Sequence, residues 1–321
     1  MADTTLTDKI RAFLNSAGWD AVTEPITGDA STRKYFRLRK NGQSAVLMNA
    51  SQVLATVAPF IRIDEHLLQL GFSAPVILAR EKAKGLLLLE DFGDATFARL
   101  LDDGAEPEKL FALATDVLIA LHKHPHAVPR GLRAYHPERM LEDAELFLRC
   151  CTPGISDAGR AEFRKAWRGV LPVAHLAPAS LLLRDYHAAN LMLLPERTGV
   201  RQVGLLDFQD AYQGPITYDL VSLLDDARRD VPEDLKNQMV ARYLAQFPAL
   251  DRNVFETSMA ILAALRHTRV LAVFEKLSRQ EGKHDYKRRH SPRAERLLQM
   301  VLRHPVLADV KRWFDKYARQ N

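Results

Sequence analysis

The sequence predicts an α+β protein of two lobes, a small N-terminal lobe built on an antiparallel sheet and a larger lobe that is mainly helical. Two observations support this prediction. Short apolar segments separated by turn residues dominate the chain as far as about Gly93, and apolar residues spaced three and four apart dominate it afterwards. The expected lobes are residues 1–93 and 94–321, and 321 residues with 47% apolar content suffice for both.

The N-terminal lobe is expected to contain five strands and two helices. Asn41-Gly42 is a favoured hairpin turn between the second and third strands. The apolar run at 86–89 breaks into Glu90-Asp91-Phe92-Gly93, which marks a strand that leads out of the lobe. The helices are predicted at residues 6–17 and 59–70, and the strands at residues 21–27, 34–39, 44–49, 75–79 and 85–89.

The larger lobe is expected to consist of helices around one β-hairpin. The hairpin strands are the apolar runs 191–194 and 203–206, separated by the turn-rich residues 195–199, and a further strand is expected at 180–183. The basic run 283–296 is interpreted as a solvated loop that leads into a helix. Helices are predicted at residues 95–101, 107–122, 137–149, 157–170, 218–227, 232–245, 252–277, 292–303 and 305–318.

Composition narrows the class of protein. No apolar run approaches the roughly 20 residues that cross a bilayer, and MADTTLTDKI lacks the features of a signal peptide, so a cytoplasmic protein is expected. Cys150 and Cys151 are adjacent and poorly placed for a disulfide or a metal site. The net charge of +5 suits an enzyme that handles phosphates. We expect a monomer that binds small molecules and neither nucleic acid nor membrane.

Polar residues stand at the ends of the predicted hairpin. Asp185 and Asn190 precede its first strand, and Asp207 follows its second. A carboxylate followed five residues later by an amide, and then an Asp-Phe after an apolar strand, is the spacing of the catalytic loop and magnesium motif of kinases. Phosphoryl transfer needs a carboxylate to orient the attacking hydroxyl and a hard cation held by oxygen ligands. We therefore expect Asp185 to be the catalytic residue, and Asn190 and Asp207 to bind Mg²⁺.

Three segments, RDYHAAN, GLLDFQDA and TYDLVSLL, resemble the aminoglycoside phosphotransferase and choline kinase branch of the protein-kinase-like fold. The branch pattern falls on Asp185, His187, Asn190, Asp207 and Asp219. Within the branch, GDASTRKYFRL and LLLLEDFGD are most similar to the anomeric sugar kinases of cell-wall recycling. The resemblance implies an ATP-dependent kinase that phosphorylates the anomeric hydroxyl of N-acetylmuramate and N-acetylglucosamine, with ATP between the two lobes.

The nucleotide is expected to contact two parts of the N-terminal lobe. The turn at 28–33 is small, and its backbone N–H groups can surround phosphate oxygens. By itself an ordinary hairpin turn is the commoner explanation of this segment, but the later motifs favour a nucleotide loop. Glu90 and Phe92 lie in the connector between the lobes, whose backbone is expected to pair with the adenine edge. The candidate nucleotide-binding residues are Gly28, Asp29, Ser31, Thr32, Arg33, Glu90 and Phe92.

Met48 is a departure from the kinase pattern. It stands on the third strand, where most kinases carry the lysine that grips the α- and β-phosphates. Either Arg33, Lys34 or Arg37 supplies that charge, or the phosphates depend more on the metal. The same departure leaves open a nonenzymatic nucleotide-binding pseudokinase.

The acceptor is expected near Asp210, Tyr212 and His187. A carboxylate can bind vicinal hydroxyls and an aromatic ring can stack on a pyranose, although Asp210 also suits a turn cap. In the family, His187 helps to hold the catalytic loop in shape. Arg184 is expected to contact a phosphate or the metal-binding aspartate, and Asp219, at the start of a helix, is expected to bind backbone or loop groups.

Two further groups of charged residues each have two interpretations. Asp64 and Glu65 could orient a phosphate-binding cation, but solvated helical carboxylates are the commoner explanation. Arg266, His267 and Arg269 could pair with the lactyl carboxylate of N-acetylmuramate, or form an exposed face. The second lobe is rich in Arg, whereas a polycationic aminoglycoside calls for Asp and Glu. Another acceptor, whether an aminoglycoside, choline or another aminoalcohol, stays the alternative.

Overall fold

In a computed structural model of the chain, the structure describes residues 8–19, 22–26 and 33–318. The chain divides into two compact units. The first comprises Met1–Ala105 and Ala188–Asp210, and the second comprises Glu106–His187 and Ala211–Asn321. This division differs from the predicted lobes in two respects, because residues 94–105 stay with the first unit and the segment that carries the hairpin returns to it.

Strands and helices follow in the predicted order, with one further strand at 212–215 that was not predicted from the sequence. The strands are β1 (Val22–Ile26), β2 (Lys34–Lys40), β3 (Gln43–Asn49), β4 (Ile77–Glu81), β5 (Leu86–Glu90), β6 (Ala179–Leu182), β7 (Leu191–Leu193), β8 (Val203–Leu205) and β9 (Tyr212–Pro215). The helices are α1 (Asp8–Ser16), α2 (Val57–Gln69), α3 (Phe97–Asp102), α4 (Pro107–Lys123), α5 (Pro137–Cys150), α6 (Asp157–Ala174), α7 (Thr217–Leu224), α8 (Glu233–Ala245), α9 (Arg252–Glu281), α10 (His284–Val301) and α11 (Ala308–Tyr317).

A five-stranded antiparallel sheet in the order β1-β2-β3-β5-β4 forms the base of the first unit. Asn41 and Gly42 both have positive φ, at 50° and 76°, as a two-residue hairpin turn between right-twisted strands requires. Leu38, Leu47 and Leu88 lie on one face of the sheet and pack against the apolar side of α1. The predicted antiparallel N-terminal sheet is therefore confirmed.

Within the first unit, backbone hydrogen bonds join the β7–β8 hairpin to the preceding part of the chain. Leu205 N donates to Ser73 O at 2.8 Å, and Leu193 N donates to Ala95 O at 2.8 Å. Gly204 leaves room for the connector, because a Cβ there would lie 2.7 Å from the Phe92 ring. The hairpin thus packs closely on the residues that follow β5.

The second unit is a helical core with one short sheet, the antiparallel pair β6–β9. Its buried aromatic side chains include Phe163 and Trp167 of α6 and Trp313 of α11, with ring centroids of Phe163 and Trp313 4.7 Å apart. In the described part of the chain, α9 alone is long and apolar enough to span a membrane by length and composition. However, 78% of its apolar window is buried within the protein, as expected of a core helix.

The basic run at 283–296 corrects one prediction, because it is helical and forms most of α10. Tertiary contacts explain the difference. Ala294 and Leu298 are buried in the core of the second unit, and charged side chains of the run pair with acids elsewhere: Lys287 with Glu275 at 2.5 Å and Arg293 with Asp230 at 2.6 Å. Charge density alone had suggested a loop, but paired charges do not oppose helix formation.

Asp64 of α2 corrects a second prediction. Its side chain is 0% exposed, and neither carboxylate oxygen has a hydrogen-bond partner among the described residues. Burial, with a smaller contribution from the carboxylates of Glu65 and Glu90, raises the pKa of Asp64 to about 8. Glu65 is solvated as predicted and pairs with Arg80 at 2.5 Å. The folded protein therefore holds Asp64 as a neutral acid at neutral pH.

Replacing Asp64 with Asn should make stability less dependent on pH. The carboxyl ionises near pH 4 in the unfolded chain and near pH 8 in the folded protein. Stability is therefore full below about pH 4 and falls as the pH rises towards 8. Urea unfolding measures the free energy of unfolding of both proteins. We expect the value for Asp64→Asn to rise by roughly 1–3 kcal/mol relative to that of wild type as the pH increases from about 5 to about 8. A difference between the two proteins that stays constant over this range would contradict a neutral buried Asp64.

Candidate active site

Asn190 and Asp207 stand at the same end of the hairpin in the first unit. Leu191 pairs with Leu205, so Asn190 directly precedes one strand and Leu206-Asp207 directly follows the other. Leu206 N donates to the backbone O of Asn190 at 3.0 Å. A carboxylate and an amide oxygen are hard ligands that suit Mg²⁺, which commonly takes only one or two protein side chains and binds phosphates and water as well. The donor set at this end of the hairpin therefore fits the ion.

The Asp207 backbone is held in a conformation that non-glycine residues seldom adopt. Its φ is 58°, in the left-handed region, which costs on the order of 1 kcal/mol. Phe208 next to it is buried and stacks on Phe60 of α2, with ring centroids 5.1 Å apart. The Asp207 side chain is 44% exposed. The packing of Phe208 thus fixes the backbone while the carboxylate stays accessible.

Two donors occupy one oxygen of that carboxylate. Asp207 Oδ1 accepts hydrogen bonds from Gln209 Nε2 at 2.9 Å and from Arg33 Nη1 at 3.3 Å. The Arg33 side chain is 7% exposed. The first unit therefore brings together three of the predicted site residues, Arg33, Asn190 and Asp207.

Arg37 is one of the three cations that could replace the missing lysine. Its guanidinium binds the connector instead. Its Nη1 donates to Asp94 Oδ1 at 2.9 Å, and its Nη2 donates to Asp91 Oδ1 at 3.0 Å and to the backbone O of Gly93 at 2.9 Å. These bonds tie β2 to the connector after β5. Met48 is 0% exposed on β3, opposite Tyr35 of β2 and Leu87 of β5.

The remaining nucleotide candidates divide into two groups. Glu90 accepts a hydrogen bond from Val76 N at 3.2 Å and pairs with Arg197. The Phe92 ring lies under the Arg197 guanidinium, 5.2 Å from it, and packs on Gly204. Their side chains hold the connector against the hairpin, and backbone pairing with the adenine edge stays a prediction. The second group, Gly28, Asp29, Ser31 and Thr32, lies outside the described residues.

The loop that carries Asp185 belongs to the second unit and is held by Asp219. The two carboxylate oxygens of Asp219 accept backbone hydrogen bonds from Leu183 N at 2.5 Å and Arg184 N at 2.8 Å. Arg184 has a φ of 71°, in the left-handed region. The prediction that Asp219 binds backbone groups of the catalytic loop is confirmed, and its bonds hold the strained residue directly before Asp185.

Arg184 forms a buried ion pair within the second unit. Its Nη2 donates to Asp143 Oδ2 of α5 at 2.6 Å, and Tyr135 Oη donates to the same oxygen at 2.7 Å. Asp143 Oδ1 accepts from Arg139 Nη2 at 2.6 Å. The predicted contact of Arg184 with a phosphate or with the metal-binding aspartate is therefore replaced by one with Asp143. One feature of the sequence marks Asp143: it is an acid between Met140 and Ala144, on the buried face of a helix.

Asp185 is ionised in this environment. Burial acts to raise its pKa, but Arg269, Arg266, His187 and Arg184 together outweigh burial and lower it. Burial lowers the pKa of His187 to about 4, so its imidazole is neutral at pH 7. A carboxylate among guanidinium groups is a weak base. It is suited to orienting a hydroxyl and accepting its proton late in the reaction.

The other acceptor candidates lie in different surroundings. Tyr212 is 2% exposed, with the Arg133 guanidinium 4.3 Å and the Arg184 guanidinium 5.1 Å from its ring, so the ring packs inside the protein and is not presented to solvent. Asp210 is exposed, 3.5 Å from Gln209 Nε2. Sugar binding by these two residues stays a prediction, and the burial of Tyr212 weighs against stacking.

Arginines of α9 and of the loop after α7 surround Asp185 in the second unit. Arg266 and His267 are buried, so an exposed face is wrong for both, and Arg266 Nη1 lies 3.4 Å from the backbone O of Arg184. Arg269 is partly exposed, with its Nε 3.9 Å from Asp143 Oδ2. Sequence reasoning missed Arg228, whose side chain contacts Asp226 at 3.3 Å and donates to Tyr286 Oη at 2.9 Å. No motif marks Arg228.

Comparison with known proteins identifies the class. Residues 22–256 match the profile of the phosphotransferase enzyme family, to which the chain therefore belongs. It is 34% identical to the N-acetylmuramate/N-acetylglucosamine kinase of Caulobacter vibrioides, over 95% of each chain. It is 30% identical to the protein of that name from Pseudomonas aeruginosa, over 91% of this chain and 89% of that one.

Solved structures share the fold at lower identity. A choline/ethanolamine kinase family protein from Mesorhizobium loti has a TM-score of 0.66 and 18% identity, over 96% of this chain and 99% of that one. The ADP-bound aminoglycoside phosphotransferase APH(2'')-Ib has a TM-score of 0.61 and 17% identity, over 91% and 99%. The predicted kinase-like fold, with an antiparallel N-terminal sheet and a mainly helical remainder, is confirmed.

The Asp143–Arg184 pair should show strong energetic coupling. Both side chains are buried, so removing one leaves the other charge without its partner. We expect Asp143→Leu and Arg184→Met each to lower the free energy of unfolding by about 3 kcal/mol, and the double variant to lose clearly less than the sum. Urea unfolding measures all three.

Glu142→Gln is the matched control for this cycle. Glu142 lies next to Asp143 on α5 and also pairs with Arg139, but its side chain is 63% exposed. We expect Glu142→Gln to change stability by less than about 0.5 kcal/mol. Strictly additive losses at Asp143 and Arg184 would show that the two residues act independently.

Proposed function

We propose that the protein is an ATP-dependent sugar kinase that phosphorylates the anomeric hydroxyl of N-acetylmuramate and N-acetylglucosamine to the sugar 1-phosphate, in peptidoglycan recycling. The relatives that align over most of the chain are named N-acetylmuramate/N-acetylglucosamine kinases, which supports this acceptor. A phosphotransferase acting on a sugar hydroxyl is in keeping with the family. The ADP-bound state of the structurally similar APH(2'')-Ib supports an adenine nucleotide as the donor.

In the proposed mechanism, Asp185 accepts a hydrogen bond from the anomeric hydroxyl and aims its oxygen at the γ-phosphorus. A new oxygen–phosphorus bond forms as the bond between that phosphorus and the β,γ-bridging oxygen breaks, and the hydroxyl proton passes to Asp185. Because the transition state is loose, the hydroxyl needs little deprotonation before attack. The weak basicity of Asp185 is therefore no obstacle.

Asn190 and Asp207 would hold Mg²⁺, which would neutralise charge on the β- and γ-phosphates. The hairpin contributes by presenting an amide and a carboxylate from a fixed backbone. Arg33 lies on the same carboxylate and adds a positive charge beside it. The second unit would position the acceptor.

The charge around Asp185 is the observation that best supports the acceptor class. Arg184, Arg266 and Arg269 lie within electrostatic reach of this carboxylate, as does Arg228. Arg184 is paired with Asp143 and Arg228 with Asp226, so repulsion of a polycationic aminoglycoside rests on Arg266 and Arg269, and each close like-charge contact costs affinity. A neutral or anionic sugar meets no such penalty. This argument favours acetylated amino sugars over aminoglycosides, choline and aminoalcohols.

A panel of acceptors tests the proposed function. The protein would be incubated with ATP, Mg²⁺ and one of N-acetylmuramate, N-acetylglucosamine, kanamycin or choline, and phosphorus NMR would detect the product. We expect sugar 1-phosphate from the first two only. The methyl glycoside of N-acetylglucosamine is the matched control, because its anomeric oxygen is blocked and it should give no product.

Each other result has a distinct meaning. Phosphorylation of the methyl glycoside would show that a different hydroxyl is the acceptor. Product from kanamycin or choline alone would favour the alternative kinase. Nucleotide binding without transfer to any acceptor would favour the pseudokinase that Met48 left open.

A further inference from the structure

Arg33 and a metal ion would compete for the same carboxylate. Asp207 Oδ1 accepts from Arg33 Nη1 at 3.3 Å and from Gln209 Nε2 at 2.9 Å. The proposed function makes this carboxylate a Mg²⁺ ligand, and Mg²⁺ binds oxygen at about 2.0–2.1 Å with nearly ideal octahedral geometry. A dication on either oxygen repels a guanidinium bound to that carboxylate. Binding of the metal therefore favours release of Asp207 by Arg33.

The Arg33 side chain is anchored along its length and can change partner at its tip. Its Nε donates to Thr56 Oγ1 at 3.3 Å, directly before α2, and Thr56 Oγ1 itself donates to Val53 O at 2.9 Å. Its Nη1 is shared between Asp207 and Tyr35 Oη, which lies 3.5 Å away. Burial raises the pKa of Tyr35, so its phenol is neutral. Loss of the Asp207 contact would leave the Thr56 anchor in place.

Within the described part of the first unit, Arg33 is also the cation best placed to act at the nucleotide phosphates. Met48 supplies no charge and is fully buried on β3. Arg37 is bound to Asp91, Asp94 and the backbone of Gly93. The guanidinium of Arg33 already lies at the proposed magnesium ligand, beside which the β- and γ-phosphates would bind.

We propose that Arg33 exchanges partners during nucleotide binding: it covers Asp207 in the metal-free protein, and yields Asp207 to the metal as it takes up phosphate charge. Arg33, which directly precedes β2, thereby takes the role of the lysine that other kinases carry on the third strand. The proposal rests on the proposed function in one respect, that Asp207 is a metal ligand.

The proposal predicts shifts of opposite sign in two binding measurements. Without nucleotide, Arg33→Met should bind Mn²⁺ about fivefold more tightly than wild type, because a competing cation is removed from Asp207. With saturating Mg²⁺, the same variant should bind ADP at least about tenfold more weakly, because a phosphate contact is lost. Electron paramagnetic resonance measures free Mn²⁺, and calorimetry measures ADP binding.

Two matched variants complete the experiment. Arg33→Lys keeps the charge and should bind ADP within about threefold of wild type. Arg39→Met removes an exposed arginine of β2. Arg39 pairs with Glu24 at 3.6 Å, and its replacement should change neither measurement. Thermal melting checks that each variant is folded.

The outcomes separate this inference from the proposed function. Unchanged Mn²⁺ and ADP binding in Arg33→Met would overturn it. Weaker binding of both would also overturn it, because Arg33 would then be holding Asp207 in place for the metal. Opposite shifts would support it even if no sugar were phosphorylated. A lack of sugar phosphorylation would count only against the proposed acceptor. Wild-type protein that binds neither Mn²⁺ nor ADP would overturn both.

Discussion

The backbone hydrogen bond between Leu206 and Asn190 is the interaction on which the proposed magnesium site of the first unit depends. It closes the hairpin at the end where both proposed magnesium ligands stand. Beyond it the chain turns through the left-handed conformation of Asp207, which the stacking of Phe208 on Phe60 holds in place. The rare backbone conformation is thus stabilised by apolar packing one residue away, leaving the carboxylate available for chemistry.

In the second unit, buried charged groups hold the loop that carries Asp185. Asp219 holds the backbone before Asp185, and Asp143 holds the Arg184 side chain. An ion pair such as that of Asp143 and Arg184 costs free energy to bury, and apolar residues of similar volume often contribute as much to stability or more. The value of the charged groups here is positional, because together they fix a strained loop and set an electrostatic environment that keeps Asp185 ionised.

The sequence was informative where local spacing determines structure. Apolar segments on either side of an Asn-Gly turn predicted β2 and β3, and the apolar runs at 191–194 and 203–206 around a turn-rich segment predicted the hairpin, with Asn190 and Asp207 at its polar end. Residues whose environment is set by distant parts of the chain were not predictable. Asp64 looks like any helical carboxylate until packing covers it, and the partners of Arg184 and of α10 lie far away in sequence.

Asp185 is expected to orient the acceptor and take its proton without binding the nucleotide. Steady-state turnover and ADP affinity of Asp185→Asn, measured on the same preparation, separate these two roles. We expect turnover to fall by about 10³-fold or more while ADP affinity stays within about threefold of wild type. Turnover close to that of wild type would show that Asp185 has no part in the transfer.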